Sequence, residues 1–134
     1  SGMAKLVVEP RFARVRDAGL AQPGLVGGQG RLETALLAAG VVAKVGAEGV
    51  YGVGWLDAGG RPWGLAVKAV DGASRGVAAA TIHLLTAIGV VGEDTWSPPP
   101  PLGGGRPAGV IRATAEVDRV AQILVDNGVS VGSR

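Results

Sequence analysis

The chain has 134 residues, a length that suits one small domain over 1–134. Its 13 Lys and Arg against 11 Asp and Glu leave a formal charge of +2, and no basic cluster interleaves with aromatic residues, so nucleic acid is not an expected partner. The lack of cysteine and the single histidine, His83, exclude disulfides, zinc–thiolate sites and multi-histidine centres, and neither a metal nor a cofactor is expected.

Hydrophobic residues make up 47% of the chain, which is apolar for so short a sequence. A small domain buries a limited fraction of its surface. Some apolar area is therefore expected to meet a second copy or a further part of the protein, and a homo-oligomer is expected. Leu6-Val7-Val8 is too short for a signal peptide and runs into Glu9-Pro10. The apolar run from Gly76 to Val91 is broken by His83 and falls short of the roughly 20 residues a membrane span needs. A cytoplasmic protein with no membrane partner is the expectation. Ser1-Gly2 ahead of Met3 has the look of a cloning remnant and carries no weight.

Taken in order, Pro10 suits the first turn of a helix, and Phe12, Val15, Ala18 and Leu20 fall near helical spacing. Gln22-Pro23-Gly24 ends that helix, and Gly27-Gly28-Gln29-Gly30 reads as a loop. A short helix over 32–39 ends at Gly40. Two β-rich runs follow, 41–55 and 62–70, joined by an Ala58-Gly59-Gly60 turn signal that predicts a hairpin. Their glycines at 46, 49, 52 and 54 mark bulges or close backbone approach, and the weak alternation suggests burial on both faces. Residues 73–88 form a helix apolar on most sides, hence buried. Residues 97–107 read as a Pro/Gly linker, 108–113 as a last strand, and 115–128 as a C-terminal helix with Val117, Val120, Ala121 and Leu124 on one face. The expected class is α+β, an antiparallel hairpin-based sheet packed with helices.

Four blocks carry more than fold. They are Leu25-Val26-Gly27-Gly28-Gln29-Gly30-Arg31-Leu32-Glu33-Thr34, then Ala43-Lys44-Val45-Gly46-Ala47-Glu48-Gly49-Val50-Tyr51-Gly52-Val53-Gly54, then Gly64-Leu65-Ala66-Val67-Lys68-Ala69-Val70-Asp71-Gly72-Ala73-Ser74-Arg75, and finally Gly109-Val110-Ile111-Arg112. Their order and spacing resemble the L-asparaginase II family over residues 18–113, matching the last third or so of a typical member. The resemblance implies a fold like the C-terminal part of serine β-lactamases and penicillin-binding proteins, and hydrolysis of the side-chain amide of L-asparagine. In that fold a K-[ST]-G strand lines the active site. Lys44-Val45-Gly46 resembles it, which implies a catalytic Lys44 and substrate contacts along Gly46, Ala47, Glu48 and Gly49. Arg31 is the candidate for the substrate carboxylate, with Glu33 beside it, and Glu48 for the α-amino group.

The family's nucleophile lies in an S-x-x-K motif. None of the serines at 1, 74, 97, 130 and 133 has a lysine three residues on, and the threonines fail the same test. Without an activated hydroxyl, acyl transfer has no nucleophile. The expectation is a portion of an amidohydrolase that is inactive alone and binds the amino acid when completed by a further segment. The alternatives are a non-catalytic oligomeric interaction domain on the same scaffold, or a glutaminase or related hydrolase completed by a second chain. Asp71 is expected to support the start of the 73–88 helix with Arg75 as its partner, Trp55 and Trp63 to pair across their hairpin turn, and His83 to sit in a core or interface.

Overall fold

A computed structural model describes residues 2–129; Ser1, Ser130 and Ser133 lie outside the described residues. The expected α+β class is what the chain adopts, with six helices, a three-stranded antiparallel sheet and a small two-stranded one among the described residues. The helices are α1 Gly2–Val8, α2 Ala13–Ala21, α3 Pro23–Gly27, α4 Leu32–Ala38, α5 Ser74–Ala87 and α6 Ala115–Asp126. The strands are β1 Val42–Gly46, β2 Val50–Leu56, β3 Pro62–Lys68, β4 Leu102–Gly103 and β5 Arg106–Pro107.

The sheet is a meander in the order β1-β2-β3. The β-rich run over 41–55 is therefore two strands rather than one, folded back at Ala47-Glu48-Gly49 so that Gly46 pairs with Val50. Lys44 pairs with Gly52 on β2, which corrects the expectation that its strand lies beside the 62–70 strand. The β2–β3 hairpin forms as the turn signal predicts. Asp57 organises it, its Oδ1 accepting the backbone N–H groups of Gly59 and Arg61 and its Oδ2 accepting Trp63 Nε1–H, each at 2.9 Å. Trp55 pairs with Trp63 across the ladder, with ring centroids 6.5 Å apart.

Period-two alternation sends Tyr51, Val53 and Trp55 into the core, where Leu36, Leu85 and Ile88 are fully buried. The opposite face of β2 carries Gly52 and Gly54, and α1 lies directly on them. A Cβ at Gly54 would sit 2.6 Å from the Met3 carbonyl oxygen, so only glycine lets the helix approach this closely. Burial on both faces, expected of both β-rich runs, thus holds for β2. Its neighbours β1 and β3 leave Lys44, Ala66 and Lys68 exposed. The short apolar stretch at Leu6–Val8 gave no hint that it closes a helix.

On the core side α5 packs on the sheet and α6 packs on α5, placing Val117, Ala121, Leu124 and Val125 in or against the core. Leu84 is 4% exposed within a single chain. Leu84 and Leu124 are thus occupied within one chain, because α6 covers what one short sheet cannot. His83 is half-buried at the α5–α6 junction and pairs with Asp118 at 2.5 Å.

Within the stretch read as a linker, residues 102–107 form the β4–β5 hairpin, and 108–114 is extended without joining a sheet. Ala108 N–H donates to the Pro101 carbonyl at 2.8 Å, closing that hairpin, so the last strand expected there finds no ladder. No helix among the described residues is long and apolar enough to cross a membrane.

Among the described residues, two buried side-chain polar atoms lack a partner, Trp55 Nε1 and Thr81 Oγ1. Thr81 is fully buried on α5. Thr81→Val keeps its shape and removes the desolvated hydroxyl, so it is expected to raise the unfolding free energy by about 1 kcal/mol. An unchanged or lower midpoint in urea unfolding would show that the hydroxyl finds a partner in solution.

Candidate functional site

The start of α4 supplies the charged floor of the site. The N-cap position is Arg31, whose extended backbone turns the glycine-rich loop into the helix, and Glu33 follows in the first turn. Thr34 Oγ1 donates back to the Gly28 carbonyl at 2.5 Å, locking loop and helix together. Glu33 is 3% exposed, which no isolated carboxylate tolerates. Two partners compensate it. Tyr51 Oη–H, from the core face of β2, donates to Glu33 Oε2 at 2.9 Å, and Arg31 Nε lies 3.2 Å from Oε1.

Burial pushes the Tyr51 hydroxyl well above the usual tyrosine range. Its bond to Glu33 and the negative charge of Glu33 act in the same direction, while Arg31 opposes them. Tyr51 therefore stays a neutral donor at all ordinary pH.

These groups line a cleft of about 280 Å³. One wall is Val45 of β1 with Gly49, Val50 and Tyr51; the opposite wall is the first turn of α5 with Ser74, Arg75, Val77 and Ala78. Trp96, Pro98 and Pro99 run across the mouth, and Trp96 Nε1–H donates to the Gly30 carbonyl at 2.9 Å, fastening that segment to the glycine-rich loop. The cleft is mostly apolar with a few convergent polar groups, the usual character of a small-molecule site.

Of the residues singled out in the sequence, Arg31, Glu33 and Gly49 line this cleft, while Lys44, Gly46, Ala47 and Glu48 do not. Lys44 and Gly46 share a face of β1, as two-residue spacing requires, but Val45 between them points to the cleft. Lys44 lies on the face that carries α1, is exposed, and donates through Nζ to the Val45 carbonyl at 3.0 Å. Glu48 is exposed at the turn in left-handed backbone, with φ of 55°.

Asp71 supports the α5 start as expected, its Oδ1 accepting Ala73 N–H at 2.9 Å. The expected Asp71–Arg75 pair does not form. No ion pair or side-chain hydrogen bond engages Arg75 among the described residues, because Asp71 is turned to the backbone.

Tyr51, Ser74, Arg75 and Trp96 were not singled out by sequence as site residues. Tyr51 had one available signal: it is the chain's only tyrosine, placed in a strand of valines and glycines. Among the described residues no group of three or more His, Cys, Asp or Glu side chains could hold a metal ion.

The family model described as L-asparaginase II matches residues 2–113. No curated protein matches the chain significantly.

Proposed function

The chain belongs to the L-asparaginase II family, and from that membership we propose that it forms a substrate-binding wall of an amidohydrolase acting on L-asparagine. The observation that carries the reading is the Arg31–Glu33–Tyr51 cluster at the floor of the cleft. Arg31 offers its guanidinium to the α-carboxylate of an amino acid, the geometry at which arginine is strongest. Glu33 orients Arg31 from below, and the buried Tyr51 hydroxyl fixes Glu33. Glu48, at the exposed hairpin turn, remains the candidate for the α-amino group.

Chemistry on the amide needs a nucleophile, and the chain has no S-x-x-K. The proposal is therefore that this is the C-terminal portion of a β-lactamase-like enzyme and is inactive alone. A further segment supplying the serine would have to reach the cleft in which Arg31 holds the substrate; Lys44, Gly46 and Ala47 lie outside that cleft and take no part in this reading.

The purified chain is expected to bind L-asparagine without releasing ammonia. Arg31→Gln should weaken that binding about 10-fold or more, read by calorimetry or ligand-observed NMR. Turnover that follows the protein through purification would overturn the inactivity; binding unaffected by Arg31→Gln would overturn the site.

Association between copies, in this reading, uses the exposed apolar residues Val15, Leu25 and Val26 of α2 and α3, since α5 and α6 cover each other. Leu25→Glu is expected to shift sedimentation toward monomer. A wild-type chain that stays monomeric at all concentrations would remove this part of the proposal.

A further inference from the structure

Two guanidinium groups line the cleft, and the structure treats them differently. Arg31 shares its charge with Glu33 at 3.2 Å, and Glu33 is the only carboxylate among the lining residues. Among the described residues Arg75, from the first turn of α5, has no counter-charge. Asp71, the acid nearest to it in sequence on that side, is committed to Ala73 N–H. The cleft therefore holds one compensated cation and one uncompensated cation, between walls made of Val45, Val50, Val77, Ala78 and Ile111. Apolar walls exclude water and strengthen whatever charge pairing occurs between them.

We infer that Arg75 is a specificity-determining residue of this cleft, fitting it to a ligand with two carboxylates, such as L-aspartate, in preference to the corresponding amide. The inference rests on the reading of the cleft as an amino-acid site. One carboxylate takes Arg31 and the other takes Arg75. L-Asparagine presents Arg75 with a neutral amide oxygen instead. The Arg75 donor is charged in both complexes, and only the carboxylate adds the attraction of opposite charges. Because Arg75 is exposed, solvent screening moderates the difference, and a preference of about 5- to 10-fold is expected. The reaction proposed above converts amide to acid, so its product would be held more tightly than its substrate. Arg75 then sets the strength of product inhibition rather than the capture of substrate.

The experiment is calorimetric titration of the full chain with L-aspartate, L-asparagine, succinate and L-alanine at low and high salt. Wild type is expected to bind L-aspartate about 5- to 10-fold more tightly than L-asparagine, with the ratio shrinking at high salt. Arg75→Gln should erase the ratio by weakening L-aspartate more than L-asparagine, and Arg75→Lys should restore part of it. Arg31→Gln should weaken both amino acids. Circular dichroism of each variant confirms that it folds, which the exposure of both arginines favours.

Equal binding of acid and amide, or a ratio that survives Arg75→Gln, overturns the inference and leaves the amino-acid site standing. Succinate binding that depends on Arg75, with neither L-aspartate nor L-asparagine bound, upholds the two-carboxylate cleft and overturns the amino-acid reading. Binding of none of the four overturns both.

Discussion

Glu33→Ala is expected to lower the free energy of unfolding by roughly 3 kcal/mol, whereas Glu33→Gln costs about 1 kcal/mol or less. The two variants separate the roles of one buried side chain. Alanine leaves the Tyr51 hydroxyl without an acceptor deep in the chain and opens a void beneath Arg31. Glutamine keeps an oxygen for Tyr51 and loses only the pairing with Arg31, whose side chain is 58% exposed and well solvated without it. Similar losses for both variants in urea unfolding would mean that charge, not hydrogen bonding, secures Glu33.

Alkaline titration gives a second readout of the same cluster, because Tyr51 is the only tyrosine. Its hydroxyl is raised in the folded state, first by burial and then by the bond to Glu33. A raised pKa contributes stability that is fully present below the unfolded value, about 10, and is lost as pH rises beyond it. The tyrosinate absorption band should therefore appear together with loss of the folded circular dichroism signal. Tyr51→Phe should remove that alkaline contribution. Tyrosinate forming near pH 10 in a still-folded chain would contradict the burial of this hydroxyl.

Gly49→Val is expected to cost about 3 kcal/mol or more. Gly49 has φ of 66°, and the neighbouring Glu48 is also left-handed, so the turn already carries one strained residue. A Cβ at Gly49 would lie 2.8 Å from the carbonyl carbon of Gly72 and 3.0 Å from the Ala69 Cβ. Neither neighbour is free to retreat, because Ala69 N–H donates to the Gly49 carbonyl at 2.8 Å and so ties the two turns together. Valine therefore suffers in its backbone and in its surroundings at once. It should also weaken L-asparagine binding, since Gly49 is part of the cleft wall. Gly76→Ala is the control: it lies in α5 with open space where the Cβ would go, and should stabilise by up to about 1 kcal/mol. A Gly49→Val chain with the wild-type unfolding midpoint would show that the turns separate freely.

The β2–β3 hairpin, α4 and α5 were legible in the sequence because local signals agree there: a glycine turn between valine-rich runs, Gly40 after α4, Asp71 before α5. The start of the chain was not legible. What makes α1 is the smooth surface of Gly52 and Gly54 against which Met3 and Val7 lie, and that contact spans roughly 50 residues of sequence. The segment 108–113 reads as a strand by composition, but composition does not provide a partner strand.

The site divides in the same way. Arg31 and Gly49 sit inside recognisable blocks, and the cleft includes both. The pairing of Glu33 with Tyr51 joins a helix start to a strand middle and exists only once α4 packs on the sheet. The parity that sends Lys44 one way and Val45 the other is implicit in any strand. Which side becomes the cleft depends on where α4 and α5 come to rest.

The meander has a kinetic consequence. Each strand of the main sheet pairs with its immediate successor, and the most separated partners, Val50 and Lys68, still belong to one hairpin. Little chain entropy is lost in closing such loops, so the sheet can form early and without waiting for distant segments. The cleft is different. It needs the glycine-rich loop and the start of α4, the helix after β3 and Trp96 far downstream to arrive on that sheet. A nascent or partly unfolded chain can therefore hold its strands in native register while still having no binding site. Sheet formation and site formation should separate in time during refolding.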